Sequence, residues 1–195
     1  MQEIFYEECA KIQNENSAKR KYNILKIMSI LSFVVAVFWF LIVWFGYDFS
    51  GEGLLLKIIF VLLPFLSFIG LGIALFKLKD KMYVDYDYTF VSGSVRFSKV
   101  IKNVKRKKVL SFECSAIEKI GKYGSKTFEK YSLMPDKKVK VLSSNSSAEK
   151  GKDFYYLVVN VSGIKYVLIL ECTETFIGNI IRYSNRTVIE EGFFK

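Results

Sequence analysis

Two apolar runs near the start of the chain constrain its fold more than any other feature. Residues 27–46 and 58–76 carry no charged side chain, and only the eleven residues 47–57 separate them. About 20 apolar residues in helical form cover the ~30 Å of hydrocarbon in a bilayer. The sequence therefore predicts two membrane-spanning helices, over residues 27–46 and 57–76.

Charged residues on either side of this hairpin, residues 23–78, predict its orientation. Basic residues flank both outer ends, at Lys19, Arg20, Lys21, Lys26, Lys77, Lys79 and Lys81. The loop between the runs holds two acidic residues and a single lysine. By the positive-inside rule, we expect a multi-pass protein of the cell membrane with its N- and C-termini in the cytoplasm and the loop outside.

Small residues predict where the two helices pack together. Ser29, Ser32 and Ala36 form one stripe on the first helix, and Gly70 and Ala74 lie four residues apart on the second. In antiparallel helices these patches would lie level and allow close approach of the two backbones. The alternative, that small residues fall at these positions by chance, is equally open.

The N-terminal segment, residues 1–22, carries a weak amphipathic pattern. Ile4, Phe5, Cys9 and Ile12 would share one side of a short helix. Such a helix would lie on the inner membrane surface or pack on the soluble part of the chain. A cytoplasmic tail without regular structure is the alternative.

The pattern changes after the hairpin, in residues 82–195. In residues 83–91, apolar or aromatic side chains alternate with polar ones, which is typical of a half-buried strand. Similar signals predict about seven strands, with an irregular stretch at 122–138 after the fourth. Thr173 is a good N-cap for a final helix, whose apolar stripe contains Phe176 and Ile180. The predicted fold class is a membrane α-helical hairpin followed by an α+β domain.

Four strands, an irregular stretch, three strands and a final helix is also the element order of pleckstrin-homology (PH)-like domains. Residues 83–97 (YVDYDYTFVSGSVRF), the basic residues 105–108 and the late pair Leu170-Glu171 carry a resemblance to an uncharacterised two-pass membrane protein family of Gram-positive anaerobic bacteria. The resemblance covers roughly residues 22–186. It implies a cytoplasmic PH-like domain, a partly open antiparallel β-barrel capped by the C-terminal helix, and it implies no activity.

Composition argues against the common catalytic classes. Histidine is absent, which removes Ser-His, Cys-His and His-metal arrangements. The three cysteines are far apart, and no phosphate-binding or dinucleotide-binding glycine motif occurs. Asp85 and Asp87 share a strand face and are expected at an exposed edge, while Cys114 and Cys172 are expected in the core. We expect no enzyme activity, no cofactor and no metal site.

The strongest charge feature is a basic cluster around the turn between the second and third strands of this domain. Its members are Lys99, Lys102, Lys105, Arg106, Lys107 and Lys108. Such a cluster is attracted to anionic lipid when it is held near a membrane. A solvated turn and a specific ligand site remain alternatives. Nucleic acid is a weaker one, because no recognised binding signature accompanies the charge.

The sequence thus predicts a non-enzymatic integral membrane protein that presents a basic module for anionic phospholipid headgroups or a protein partner. A small accessory subunit of a membrane complex or transporter is the first alternative. Membrane-tethered nucleic-acid binding is the second. The identity of a protein partner stays open, and a second copy of this chain is one option.

Overall fold

The computed structural model of the chain describes residues 4–46, 53–184, 186–191 and 193. Two compact units result, one from Asn14–Tyr83 and the other from the segments Met1–Gln13 and Val84–Lys195 together. Among the described residues, the helices and strands are β1 (Phe5–Ala10), α1 (Glu15–Gly46), α2 (Leu54–Met82), β2 (Val84–Val91), β3 (Ser94–Ile101), β4 (Lys105–Glu113), β5 (Ile117–Lys122), α3 (Lys126–Ser132), β6 (Lys137–Val141), β7 (Asp153–Val161), β8 (Ile164–Cys172) and α4 (Glu174–Tyr183).

The first unit is a pair of long helices, α1 and α2, each extending beyond its predicted apolar span. By length and composition, both helices could cross a membrane. Large apolar side chains face outward along them, as shown by Ile42, Leu55 and Leu63, which are 67, 76 and 62% exposed. Most of the predicted external loop, residues 47–52, lies outside the described residues. The exposed apolar surface is typical of helices that face lipid.

Polar side chains of α1 join it to the backbone of α2. Ser29 Oγ donates a hydrogen bond to the Gly72 carbonyl at 2.8 Å. Ser32 Oγ donates to the Phe68 carbonyl at 2.7 Å. Ala36 is 1% exposed on the same stripe. The structure therefore places all three small residues of α1 in the helix contact.

The prediction that Gly70 and Ala74 of α2 lie in the helix contact is wrong. Gly70 and Ala74 are exposed, and a Cβ atom on Gly70 would meet no atom within 4 Å. The close approach occurs at Gly72, where an added Cβ would lie 2.9 Å from the Phe33 ring. Two residues correspond to about 200° around a helix, so Gly70 and Gly72 occupy nearly opposite faces.

The second unit contains an antiparallel sheet with the strand order β1-β2-β3-β4. Its first strand comes from the N-terminal segment, with Phe5 opposite Val91 and Ala10 opposite Tyr86. The prediction of an amphipathic helix within residues 1–22 is therefore wrong for this part of the segment. Four apolar residues at spacings of one to four fit either period, and pairing with β2 decides for the strand.

The other sheet has the strand order β5-β7-β8-β6. β7 runs antiparallel to β5 and β8, whereas β6 runs parallel to β8, with Val139 opposite Val167. The parallel edge departs from the purely antiparallel prediction. It arises because β6 follows the short helix α3 and adds to the far edge of β8. The Ser125 side chain caps α3 by accepting from the Phe128 amide, within the stretch predicted as irregular.

One apolar core joins both sheets and α4. Tyr88 and Phe97 of the first sheet, Leu168 of the second and Phe176 of α4 are all fully buried in it. Thr173 caps α4, with its side chain accepting from the Phe176 amide. These strands and the C-terminal helix confirm the predicted β-rich domain. Closure of the two sheets into a barrel stays a prediction.

Candidate functional site

A tight turn joins β3 to β4 at one end of the first sheet. The Val104 amide donates to the Ile101 carbonyl at 3.1 Å, and the two central residues, Lys102 and Asn103, have φ of 54° and 55°. Positive φ at both central positions is the type I′ geometry that matches strand twist. Lys105 then pairs with Ile101 and begins β4. The turn displays its side chains outward, and that of Val104 is 82% exposed.

The same end of this sheet is where the helices are inserted in the chain. β1 ends at Ala10, opposite Tyr86, and β2 begins at Val84, opposite Ile101. α1 and α2 lie in the chain between these two neighbouring strands. The basic turn therefore lies at the sheet end where the chain leaves for the helices and returns from them.

Strand geometry divides the predicted basic cluster between the two faces of the sheet. Arg106 is opposite Val100, which is opposite Asp85, so these three share one face. Lys108 is on that face too, in the row of Ser98. The remaining strand residues of the cluster, Lys99, Lys105 and Lys107, are on the other face. All members except the half-buried Lys99 are exposed.

Asp85 and Asp87 are buried, which corrects the prediction of an exposed edge. Their exposed fractions are 5 and 8%. The Ile12 amide donates to Asp85 Oδ1 at 2.8 Å, and Arg106 Nε lies 3.1 Å from Asp87 Oδ2. The N-terminal segment covers these carboxylates, so their burial depends on a strand that the local pattern did not predict.

An open cavity of about 420 Å³ lies beside these carboxylates, and its lining includes Glu7, Cys9, Asp87, Asn103 and Arg106. Burial and the neighbouring Asp87 carboxylate raise the pKa of the Cys9 thiol to about 12. A thiol in this state is protonated at neutral pH and is a poor nucleophile. The cavity thus offers carboxylates and a guanidinium rather than a reactive group.

A second polar cluster fixes β1 on the domain. The Thr173 amide and Oγ1 donate to the Glu8 carboxylate at 3.0 and 2.9 Å. Lys152 Nζ donates to the Cys9 carbonyl at 2.8 Å. Burial raises the pKa of Glu8, although its hydrogen bonds with Thr173 and the nearby Lys152 oppose the shift. Contacts over about 165 residues hold the N-terminal strand beside the start of α4.

Glu171 anchors the loop after β6. It is fully buried and accepts hydrogen bonds from the side chains of Ser143 and Asn145 and from the Glu149 amide. Neither Glu171 nor Glu8 was predicted to have a role. The local sequence does not indicate these contacts, because the hydrogen-bond partners of both residues are distant in sequence.

Reactive chemistry finds little support among the described residues. Burial raises the pKa of Cys114 to about 12 and that of Cys172 well above its usual value. Over residues 4–46, 53–184, 186–191 and 193, no group of three or more His, Cys, Asp or Glu side chains could hold a metal ion.

Comparison with known proteins adds a family to this geometry. No curated protein and no solved structure matches the chain. A family model described as "Bacterial PH-like domain (DUF6106)" matches residues 2–190, which include β1, both long helices and the two sheets. This match confirms the predicted PH-like fold class. The chain belongs to this family of bacterial PH-like domains.

Proposed function

We propose that this protein is a two-pass membrane protein whose PH-like module contacts anionic phospholipid headgroups on the cytoplasmic face, without enzyme activity. The observation that carries the proposal is the basic β3–β4 turn at the sheet end where the chain passes into α1 and out of α2. A covalent link of one residue, Tyr83, joins α2 to β2. Such a short tether keeps the module close to the bilayer if the helices span it.

Electrostatic attraction supports lipid as the ligand of the turn. A lysine or arginine near an anionic leaflet contributes about 1 kcal/mol, and the attraction falls off within about 8 Å at physiological salt. Lys105, Lys107 and Lys108 are exposed beside the turn. The exposed Val104 adds an apolar side chain that suits the interface between headgroups and hydrocarbon. Because this electrostatic attraction is short-ranged, the position of the turn matters as much as its charge.

The lipid contact can be tested on the full chain in nanodiscs with and without anionic lipid. We expect hydrogen exchange in residues 98–108 to slow only when anionic lipid is present. The variant Lys105→Ser/Lys107→Ser/Lys108→Ser should lose this dependence. The matched control, Lys126→Ser/Lys130→Ser/Lys150→Ser, removes the same charge from other exposed sites and should retain it. Exchange that is the same with and without anionic lipid would contradict the proposal.

The proposed topology rests on strand pairing as well as on the flanking charges. Since β1 and β2 are neighbours, the start of α1 and the end of α2 belong on the same side of the bilayer as the module. With the native cysteines replaced by serine, a cysteine introduced by Ser50→Cys should react with an impermeant reagent on intact cells. One introduced by Ser146→Cys should react only after lysis. The reverse pattern would overturn the orientation.

A further inference from the structure

We propose that a cavity lined by α4, β5 and β7 binds a small zwitterion with an apolar body, of the class of free α-amino acids with apolar side chains. The ligand's ammonium would contact Glu174, its carboxylate would contact Lys122 and Tyr155, and its side chain would pack against α4. This α4 pocket shares no residue with the basic β3–β4 turn, so the inference does not depend on the proposed membrane contact.

The pocket lies where the end of β5 meets the start of β7. Its volume is about 360 Å³, at the lower end of the ~300–1,000 Å³ that ligand sites occupy. Lys122 of β5 is directly opposite Tyr155 of β7, so the two side chains share a face of the sheet. Helical spacings of i, i+3, i+4 and i+7 place the lining residues of α4 on a single face, namely Glu174, Ile177, Gly178 and Ile181.

The first observation that indicates a ligand is the hydroxyl of Tyr155. This residue is 2% exposed, yet its hydroxyl has no hydrogen bond within the described residues. Over the same residues, Asp87 Oδ2 is the one sealed side-chain atom without a hydrogen-bond partner. The Tyr155 hydroxyl is therefore not sealed and opens onto the pocket that Tyr155 lines. Burial raises the pKa of Tyr155 to about 12, so at neutral pH the hydroxyl is protonated and can donate.

The second observation is a pair of opposite charges at the same pocket. Lys122 and Glu174 are exposed, and neither side chain has an ion pair or hydrogen bond in the part of the chain that the structure describes. A ligand with one charge would meet a like charge as well as an opposite one. A zwitterion complements both groups, and its carboxylate accepts from the ammonium and from the hydroxyl.

The third observation is the apolar space beside these polar groups. Ile177 is 1% exposed, and the Phe193 ring lies 5.8 Å from the Tyr155 ring between centroids. Gly178 leaves room between them and the helix, because no atom lies within 4 Å of its Cβ position. Glycine inside a helix is less favourable than alanine, and a larger side chain here would enter the open space.

The test is isothermal titration calorimetry of the full chain in nanodiscs, with empty nanodiscs as the blank. We expect L-phenylalanine and L-leucine to bind. 3-Phenylpropionate lacks the ammonium of L-phenylalanine, 2-phenylethylamine lacks the carboxylate and L-alanine lacks the ring. Each of these analogues should bind about tenfold more weakly than L-phenylalanine or worse, since each loses one set of contacts. Failure of both amino acids to bind would overturn the inference, as would equal binding of any analogue.

Gly178→Leu locates the ligand without removing a contact residue. The leucine side chain fills the pocket and favours the helix, so binding should be lost while Tm does not fall. The matched control, Thr175→Leu, adds the same side chain at an exposed position of α4 outside the lining and should bind like the wild type. Binding that survives Gly178→Leu would overturn the location, and so would loss of binding in both variants.

Two conservative variants test the polar contacts. Tyr155→Phe removes a hydroxyl without a described partner, so Tm should hold while L-phenylalanine binds several-fold more weakly. Unchanged affinity would contradict the contact with this hydroxyl. Glu174→Gln should weaken binding of L-phenylalanine but strengthen that of 3-phenylpropionate, because repulsion of the carboxylate is removed. A change in the same direction for both ligands would contradict the placement of the ammonium at Glu174.

Discussion

Glu171 illustrates how single residues in this domain act through distant partners. Its carboxylate collects three donors from residues 143–149, and its amide donates to Tyr88 Oη at 3.3 Å. Tyr88 Oη in turn donates to the Leu142 carbonyl at 2.6 Å. The network joins the end of β8, the centre of β2 and the loop after β6 without any exposed atom of Glu171.

Glu171→Gln should destabilise the domain. The new amide would direct N–H groups at one of the two carboxylate positions that now accept hydrogen bonds, so Ser143 and Asn145 or the Glu149 amide would lose an acceptor. We expect a loss of about 2 to 3 kcal/mol, because buried donors would be left unsatisfied. Thermal unfolding followed by circular dichroism measures it. The same change at the exposed Glu129 should leave Tm within error, and an equal fall at both positions would contradict the assigned role.

Cys9 should show an unusual dependence on pH. Its thiol pKa is raised from 9.0 to about 12, so the folded protein binds the proton more tightly than the unfolded chain. Stability therefore falls as pH rises through that window. Between about pH 8 and 10, alkylation of Cys9 should keep accelerating with pH, because the thiolate is the reactive form. A reference thiol introduced by Ser146→Cys should level off near its ordinary pKa.

Peptide mass spectrometry after timed iodoacetamide pulses measures both rates in one sample. Levelling of the Cys9 rate near pH 9 would show that its thiol has an ordinary pKa. The experiment needs no assignment of function, since it reports only the surroundings of one side chain.

Asp85 and Asp87 show where residue-level prediction reaches its limit. Strict alternation correctly indicated that their strand has two different faces. It also implied that the polar face meets solvent, whereas residues 9–12 cover it. Burial on that face comes from a segment more than 70 residues away in the chain, and no local pattern contains this information.

At the scale of elements, Gly72 is one of the residues at the contact between α1 and α2. Gly72→Leu should weaken this contact, because even a Cβ atom would lie 2.9 Å from the Phe33 ring, which would have to move. Overpacking of this kind costs about 1–3 kcal/mol. Gly70→Leu is the matched control, as no atom lies within 4 Å of its Cβ position.

Loss of helicity during titration with sodium dodecyl sulfate measures the stability of the helix pair in both variants. Gly72→Leu should unfold at a lower detergent fraction than the wild type, and Gly70→Leu should not. Equal midpoints for the two variants would mean that Gly72 is not at the contact.

Elements with strong local signals were predictable from the sequence. Thr173 and the stripe of Phe176 and Ile180 specified α4, because capping and a 3.6-residue period agree there. β1 was not predictable, since its apolar residues fit a helix equally well and its partner is remote. The parallel placement of β6 also depended on a distant strand, β8. The local pattern of a segment indicates whether it forms a helix or a strand. The strand next to which it lies depends on pairing with residues far away in the sequence.

At the scale of the whole molecule, the β-rich unit is assembled from two separate segments. Residues 84–195 expressed alone would lack β1 and the Glu8–Thr173 contacts, and would expose core side chains such as Tyr88. A chain in which residues 1–13 are joined to 84–195 by a short Gly-Ser linker should fold. The linker replaces α1 and α2 between adjacent strand ends, which lie close together.

Chemical-shift dispersion in proton–nitrogen NMR spectra distinguishes the two chains. We expect resolved, dispersed amide signals for the joined chain and collapsed signals or aggregation for residues 84–195. Equally dispersed spectra would show that β1 is dispensable for the fold.

The separation of β1 from β2 also orders events during synthesis. β1 leaves the ribosome first, and its partner strand follows only after roughly 70 further residues that form both long helices. The first sheet cannot assemble before the helix pair has been made, because strand pairing across such a separation must await its second member. The β-rich unit can therefore be completed only after the whole hairpin has been translated. Chains stalled within the hairpin would carry an unpaired strand that proteases and chaperones can recognise.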